Sequence, residues 1–441
     1  MGNDTTLPAR PTSVRWRIVG LLSLTAVLCH FNRVSMAVAG TEHIIGKLGI
    51  SETAMGTVYT AYLLVYTILM TPGGWLIDRR GPRAALLLMG FGSAFFVAMT
   101  GAVGMLAKSG ALLLGGLLVV RGLLGSVTVP MHPGAARMVS FWTPPSERSL
   151  ANGAITCAAL IGIALASPGF GYLSDHLGWP AAFMVGAVGA GLCAGLWALF
   201  SRDGPREHPS ANLAEAALIE RDRSKGSMAT GQPPAGIGNL LRNRSLVLLT
   251  LSYAAAGYFQ YLFVYWILYY FDHILKLGKD QSRNYTTIAM LAMAVGMAAG
   301  GWLCDRVEVR LGQRNGRAIM CIGSMTISAL FLAMGILGQG TAWIVTCFSL
   351  AMGILGISEA PFWTSATQVG GRQGGIAAAI MNTGGNGGGL LAPVITPLFS
   401  SYFGWKSGLG LACGVSILWA LCWLWIDPAE QAEPRATSPA A

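Results

Sequence analysis

Charge is what this sequence has least of. Only 11% of its 441 residues are Asp, Glu, Lys or Arg, against about 25% in a soluble domain. An ordinary water-solvated surface is thereby excluded. Paired cysteines are missing too. None of the eight cysteines, Cys29, Cys157, Cys304 and Cys413 among them, stands in a Cys-x-x-Cys spacing. They fall in or beside apolar segments and read as small packing residues, not as a disulfide frame or metal site. There is no phosphate-binding glycine loop followed by lysine, no metal cluster and no catalytic triad, so neither an enzyme nor a cofactor is expected. Acidic residues are also scarce, 19 against 29 basic, for a net charge of +10. The basic residues sit in loops on one side of the apolar segments, a membrane pattern, so nucleic acid is not an expected partner. The N-terminal MGNDTTLPARPTSVRWR is polar, and the run after it is too long for a signal peptide. A loose myristoylation match in MGNDTT is discounted, because a chain with many spans gains nothing from one acyl group.

Hydrophobic residues, in contrast, make up 53% of the chain. They fall into twelve runs, about 16–40, 54–77, 84–107, 111–136, 150–173, 179–200, 245–271, 285–304, 317–338, 341–366, 373–398 and 403–426. Each is near the roughly 20 residues that cross a bilayer. The expected fold is an all-α integral membrane protein of two six-helix bundles. It comprises a tail 1–15, a bundle 16–200, a linker 201–244, a bundle 245–426 and a tail 427–441. The linker is expected to hold one short amphipathic helix around Asn212–Arg223. Arg79, Arg80, Arg83, Arg148, the linker's basic residues, Arg306, Arg310, Arg314 and Arg317 lie on one side. The other side has Lys47, Lys108, Lys276, Lys279, Arg283 and Lys406. By the positive-inside rule the termini and linker are cytoplasmic. A monomer in the cell's inner membrane, with the lipid bilayer as its surroundings, is expected.

The halves repeat. GGWLIDRRG, Gly73 to Gly81, returns as GGWLCDRVE, Gly300 to Glu308, 227 residues on. Trp179 and Trp405 close similar segments, 226 apart. A repeat of six spans keeps its orientation, so the halves are related by an axis along the membrane normal. GGWLIDRRGPR resembles the loop signature of the major facilitator superfamily through Gly74, Asp78, Arg79, Gly81 and Arg83, with Pro82 in place of a usual arginine. GYLSDHLGWPAAF, the linker and the Asn382–Gly388 run NTGGNGG are similar to the anion:cation symporter branch, whose bacterial members carry sugar acids, phthalate and other organic anions. The resemblance implies a secondary transporter for a small organic anion, with protons as co-substrate.

Two arginines interrupt apolar segments. Arg33 lies about 10 Å from the outer end of the first and Arg121 about 15 Å into the fourth, at ~1.5 Å per residue. A charge at that depth needs a cavity or a partner; the plain alternative for Arg33 is snorkelling. A guanidinium fork suits a carboxylate, and the resemblance implies that both arginines bind it. Tyr66 matches a substrate-contacting tyrosine of the sugar-acid carriers. Tyr258, Gln260, Tyr261, Trp363 and Asn382 complete the substrate candidates, while Asn386 is equally suited to helix packing and Tyr269 and Tyr270 to an interfacial belt. The branch carries an aspartate before the first arginine and a glutamate seven residues after the second. Here these positions are Asn32 and Thr128, which do not titrate near neutrality. His132 and Glu359, 227 residues apart, and His30 remain as proton-coupling or gating candidates. Asp78 is expected to cap a neighbouring helix or to pair with an arginine such as Arg137 or Arg148, and Asp305 and Arg306 to repeat the device. Uniport, anion exchange and a non-transporting sensor stand as alternatives.

Overall fold

A computed structural model describes residues 10–47, 49–221 and 237–429. Among these the chain is helical, with no strand. The described residues form twelve long helical segments: α1 Val14–Ile44, α2 Glu52–Ile68 continued by Met70–Arg80, α3 Pro82–Leu106, α4 Gly110–Trp142, α5 Arg148–Leu177, α6 Trp179–Phe200, α7 Arg244–Ile274, α8 Lys279–Leu311, α9 Gln313–Leu337, α10 Thr341–Val369, α11 Gly374–Phe403 and α12 Trp405–Leu424, of which ten, or eleven with the bent α2, are long and apolar enough to cross a bilayer. Among the described residues the linker holds two α-helices, Leu213–Arg221 and Ile237–Arg242, where one was expected. Most of both expected tails, and residues 222–236 of the linker, lie outside the described residues.

Proline and glycine set the interruptions. Pro72 lacks the N–H and crowds the carbonyl four residues back, and α2 bends by 53° there. The fourth and tenth helices break at matching places: Thr128 ends one segment of α4 and Met131 starts the next around Pro130, while Ile357 and Glu359 flank the break in α10. His132 and Glu359 therefore each sit in the first turn after a break. Gly178 and Gly404 take φ of +79° and +80°. Only glycine holds that conformation without strain, and each hands the chain to a tryptophan that opens the next helix.

Contacts divide the chain into two units, Met1–Met36 with Leu64–Gly231, and Ala37–Leu63 with Gln232–Ala441. The division does not fall at the linker alone, because Ala37–Leu63, the end of α1 and the start of α2, groups with the second half. In the first unit, Ile18, Leu22 and Ala26 of α1 share a core with Met138 and Trp142 of α4, Ile155 of α5 and Trp197 of α6. Phe91, Phe95, Val188 and Leu192 are exposed. Such an apolar outer surface suits hydrocarbon rather than water.

In the second unit α7 and α11 meet through small residues. A Cβ on Gly388 would overlap the Ala254 carbonyl, and one on Gly257 would overlap that of Gly385. The glycine run of α11 thus serves close helix approach, as small residues do between membrane helices. Glu42 is fully buried and accepts from Arg283 Nε at 2.7 Å and Nη2 at 2.5 Å. That pair explains why α8 begins at Lys279 rather than near 285: the polar first turns carry a buried partner. Tyr269 and Tyr270 are packed, at 6% and 1% exposure. The expected interfacial belt is corrected for both, since the Tyr269 hydroxyl donates to Glu52 at 2.5 Å.

Candidate functional site

Arg121 is 2% exposed. Its Nη1 donates to the Asn32 carbonyl at 3.3 Å and its Nη2 to the Arg33 carbonyl at 2.7 Å. These oxygens can accept a second proton beside their helical one. Arg121 therefore clasps the backbone of α1 from α4. Arg33, whose own carbonyl is held in that clasp, is half-buried. The contact between the two positions runs from the Arg121 side chain to the Arg33 backbone.

Asn32 turns away from this face. It is 3% exposed, and its amide nitrogen donates to the Gly186 carbonyl of α6 at 3.4 Å. A Cβ at Gly186 would overlap the Asn32 amide oxygen. Thr128 is also buried and donates to the Leu124 and Gly125 carbonyls at 3.1 and 3.0 Å. Such back-bonding satisfies a hydroxyl at the end of a helical segment. Both groups are committed to backbone.

Titratable groups appear elsewhere. His132 Nε2 lies 3.4 Å from His30 Nε2, and His30 Nδ1 lies 3.0 Å from the Ala26 carbonyl. Glu359 accepts from the Tyr253 hydroxyl at 3.0 Å and Trp363 Nε1 at 3.1 Å. Each half thus joins its first helix to its fourth with a polar bond at the break. The partners His30 and Tyr253 are not equivalent by the repeat, so no repeat offset reveals them.

The remaining candidates separate. Tyr66 is buried, at 8% exposure. Tyr258 faces α11, its hydroxyl 3.0 Å from Thr396 Oγ1, which makes it a packing residue here. Tyr261 reaches Asn386 at 3.4 Å. Gln260 and Asn382 are half-buried, and Trp363 is 39% exposed. Asn386, at 7% exposure, belongs to the packed face of α11.

The loop motifs form braces other than those expected. Arg148 donates to the Thr143 and Ser140 carbonyls, and Arg137 lies over Phe141. Asp78 is exposed and, among the described residues, has no ion pair with either. Arg83 ties α3 to the end of α6, donating to Ser201 at 2.9 Å and Ala198 at 3.0 Å. Gly81 takes φ of +82° where α2 turns into α3; Gly74 has open space around it. Arg79 lies 5.1 Å over Trp75, and Arg306 lies 3.7 Å over Trp302. Asp305, like Asp78, is exposed, so the repeated device is the Trp–Arg stack one turn apart. Sequence reasoning missed Arg317, which is 5% exposed and joins Glu308 at 2.7 Å to Gln368 at 2.7 Å. It missed Arg15 as well, which binds Glu147 at 2.7 Å and the fully buried Glu215 of the linker helix at 3.2 Å.

The sequence model of the Major Facilitator Superfamily matches residues 22–379 and 369–440. The chain is 28% identical over 409 residues to the probable galactarate/D-glucarate transporter of Bacillus subtilis (strain 168), spanning 89% of this chain and 86% of that protein. It is 26% identical over 436 residues to the D-galactonate transporter of Escherichia coli O6:H1, spanning 94% and 96%. Its fold is similar to the crystal structure of a bacterial homologue of the human lysosomal transporter Spinster in an inward-facing, unoccupied conformation, with a TM-score of 0.74, 15% identity and coverage of 94% and 97%. That last likeness concerns the fold alone.

Proposed function

This chain belongs to the major facilitator superfamily, and we propose that it carries a small organic anion, a carboxylate of the sugar-acid kind, by alternating access coupled to proton symport. It is a multi-pass membrane transporter, not an enzyme. Arg33 carries the reading: a half-buried guanidinium in an apolar span, on a backbone clasped by Arg121. A fork held in place loses little freedom on meeting two carboxylate oxygens. Tyr66, buried in the same unit, offers a hydroxyl to the rest of the substrate. Relatives whose names specify galactarate, glucarate and galactonate support the substrate class. The basic loops favour cytoplasmic termini and linker in an inner membrane, with 16–200 and 245–426 as the two transport bundles of a monomer.

The test is a thermal-shift screen of D-glucarate, galactarate and D-galactonate on purified protein, followed by uptake into liposomes. A ligand that binds the folded state raises the melting temperature by mass action. The shift and the uptake should both vanish in Arg33→Gln. Binding that survives Arg33→Gln sinks the site, and an absence of any bound acid sinks the substrate class. One observation favours a second reading, uniport or exchange: Asn32 and Thr128 are bonded to backbone and do not titrate. Counterflow that ignores an imposed pH gradient would select it.

A further inference from the structure

Glu359 is the one charged residue of α10, and α11 beside it brings no Asp, Glu, Lys, Arg or His. It opens the segment after the break, Ile357 closing the one before it. Its two oxygens are used unequally. Oε2 accepts from the Tyr253 hydroxyl at 3.0 Å and from Trp363 Nε1 at 3.1 Å. Oε1 bonds none of the described residues. Glu359 is half-buried and Trp363 beside it is 39% exposed, so a proton has access to the carboxyl. All of these residues belong to the second unit.

The titratable groups around it are few. From α7 comes Tyr253, and from α9 Cys321, whose Sγ lies 3.9 Å from the Ser358 carbonyl. Arg317 of α9 and Cys304 of α8 also act on Cys321. The Arg317 donors go to Glu308 of α8 and to Ser365 and Gln368 further along α10. Cys304 is bonded to Glu308. Arg317 and Glu308 thus neutralise each other, and among the described residues no cation forms an ion pair with Glu359. An ionised carboxylate in an apolar span is unfavourable without a counter-ion. A proton removes that charge. Trp363 Nε1 can only donate, so Oε2 is an acceptor in every state of the group. The proton therefore enters at Oε1, and both bonds to Oε2 stay in place. Loading and unloading require no repacking of Tyr253 or Trp363.

We propose that the Glu359 carboxyl, held by Tyr253 and Trp363 through one oxygen and open at the other, carries the co-transported proton. This rests on the symport reading above. Like charges repel inside a membrane protein over distances that water would screen. An anion entering the protein is therefore opposed by an ionised Glu359 and not by a protonated one. By reciprocity the anion strengthens proton binding by the same factor as the proton strengthens anion binding. The step balances simply. A proton leaves water and forms an O–H bond at Oε1, and no bond in the substrate changes. Asn32 and Thr128 need not titrate for such coupling, so symport survives without carboxylates at those two positions.

The experiment uses the purified full-length chain with D-glucarate, galactarate and D-galactonate in turn. A thermal shift reports binding, and liposomes report counterflow and accumulation under an imposed pH gradient, acid outside. Wild type should bind an acid and accumulate it. Glu359→Gln keeps a carbonyl oxygen for Tyr253 and Trp363 but takes no proton. It should retain the thermal shift and the counterflow, and lose the pH-driven accumulation. Glu359→Ser, a residue suited to the start of a helical segment, carries the same test if Glu359→Gln does not fold. Accumulation driven by pH that persists in the folded variant overturns the assignment and leaves symport standing on another group. Loss of the thermal shift in the folded variant makes Glu359 a binding residue and overturns the assignment as well. Wild type that binds an acid and shows counterflow indifferent to the gradient overturns the symport reading, and the assignment with it.

Discussion

Arg33 stands on α1 and Arg121 on α4. Arg121 bridges two successive carbonyls of α1, and a lysine, a compact ammonium without the planar fork, does not match that spacing. Arg121→Lys should therefore lower the melting temperature and uptake together. Arg33→Lys should reduce acid binding, read as a smaller thermal shift with D-glucarate. Thermal denaturation with and without D-glucarate separates the two. Asn32 yields a sharper prediction. Its amide donates to the Gly186 carbonyl, and an aspartate reproduces that bond only when protonated. Uptake by Asn32→Asp should decline as pH is raised from about 5 to about 8, steeply relative to wild type, because the ionised acid faces a carbonyl oxygen. An unchanged pH profile would show that the Gly186 contact does not matter. Both arginines were legible in the sequence, because a charge in an apolar run stands out. Their division of labour was not, because it depends on which way each side chain leaves its helix.

At the scale of helices, two contacts in the second unit invite measurement. The Gly388 backbone lies against the Ala254 carbonyl with no room for a methyl group. Gly388→Ala should cost about 1–3 kcal/mol through forced separation of α7 and α11, read as a lower melting temperature with reduced uptake. Glu42 and Arg283 form a buried bidentate pair, with the exposed Asp280 also 3.6 Å from Arg283. Removing one partner strands the other charge. Glu42→Gln should destabilise by about 3–5 kcal/mol, and adding Arg283→Gln should restore part of that loss. A double variant no better than the single would show that the pair is not coupled. The α11 glycines were readable as a packing run. The Glu42–Arg283 pair was not, since its members are 241 positions apart and neither stands out in its own segment.

At the scale of the whole chain, the linker is seated rather than merely passing by. Glu215 accepts from the Val14 and Arg15 backbone N–H groups at 3.2 and 3.1 Å and from the Thr12 hydroxyl. It thereby satisfies N–H groups that the first turn of α1 leaves open. His208 completes the seat, with Nε2 2.9 Å from the Phe200 carbonyl and Nδ1 accepting from Ser210 N–H at 3.1 Å. Burial holds His208 below the usual histidine value of 6.5. The unfolded segment then takes up a proton before the folded one. The seat's stability is present above 6.5 and declines as pH falls below it. Tryptic cleavage of the linker should accelerate at about pH 5.5 relative to pH 7.5, and Glu215→Ala should accelerate it at both. Cleavage independent of pH would exclude His208 from the seat.

Twelve spans, the repeat and the depth of the buried arginines were set by composition and order alone, because apolar length and intramembrane charge are local properties of a sequence. The tertiary structure decided the partners. His132 meets His30, Tyr258 turns to Thr396, and Arg121 bonds the α1 backbone. Hydrogen bonds reach only about 3 Å. Which groups come that close is fixed by helix rotation and by the breaks at Pro130 and Ser358, and neither is written in any single segment.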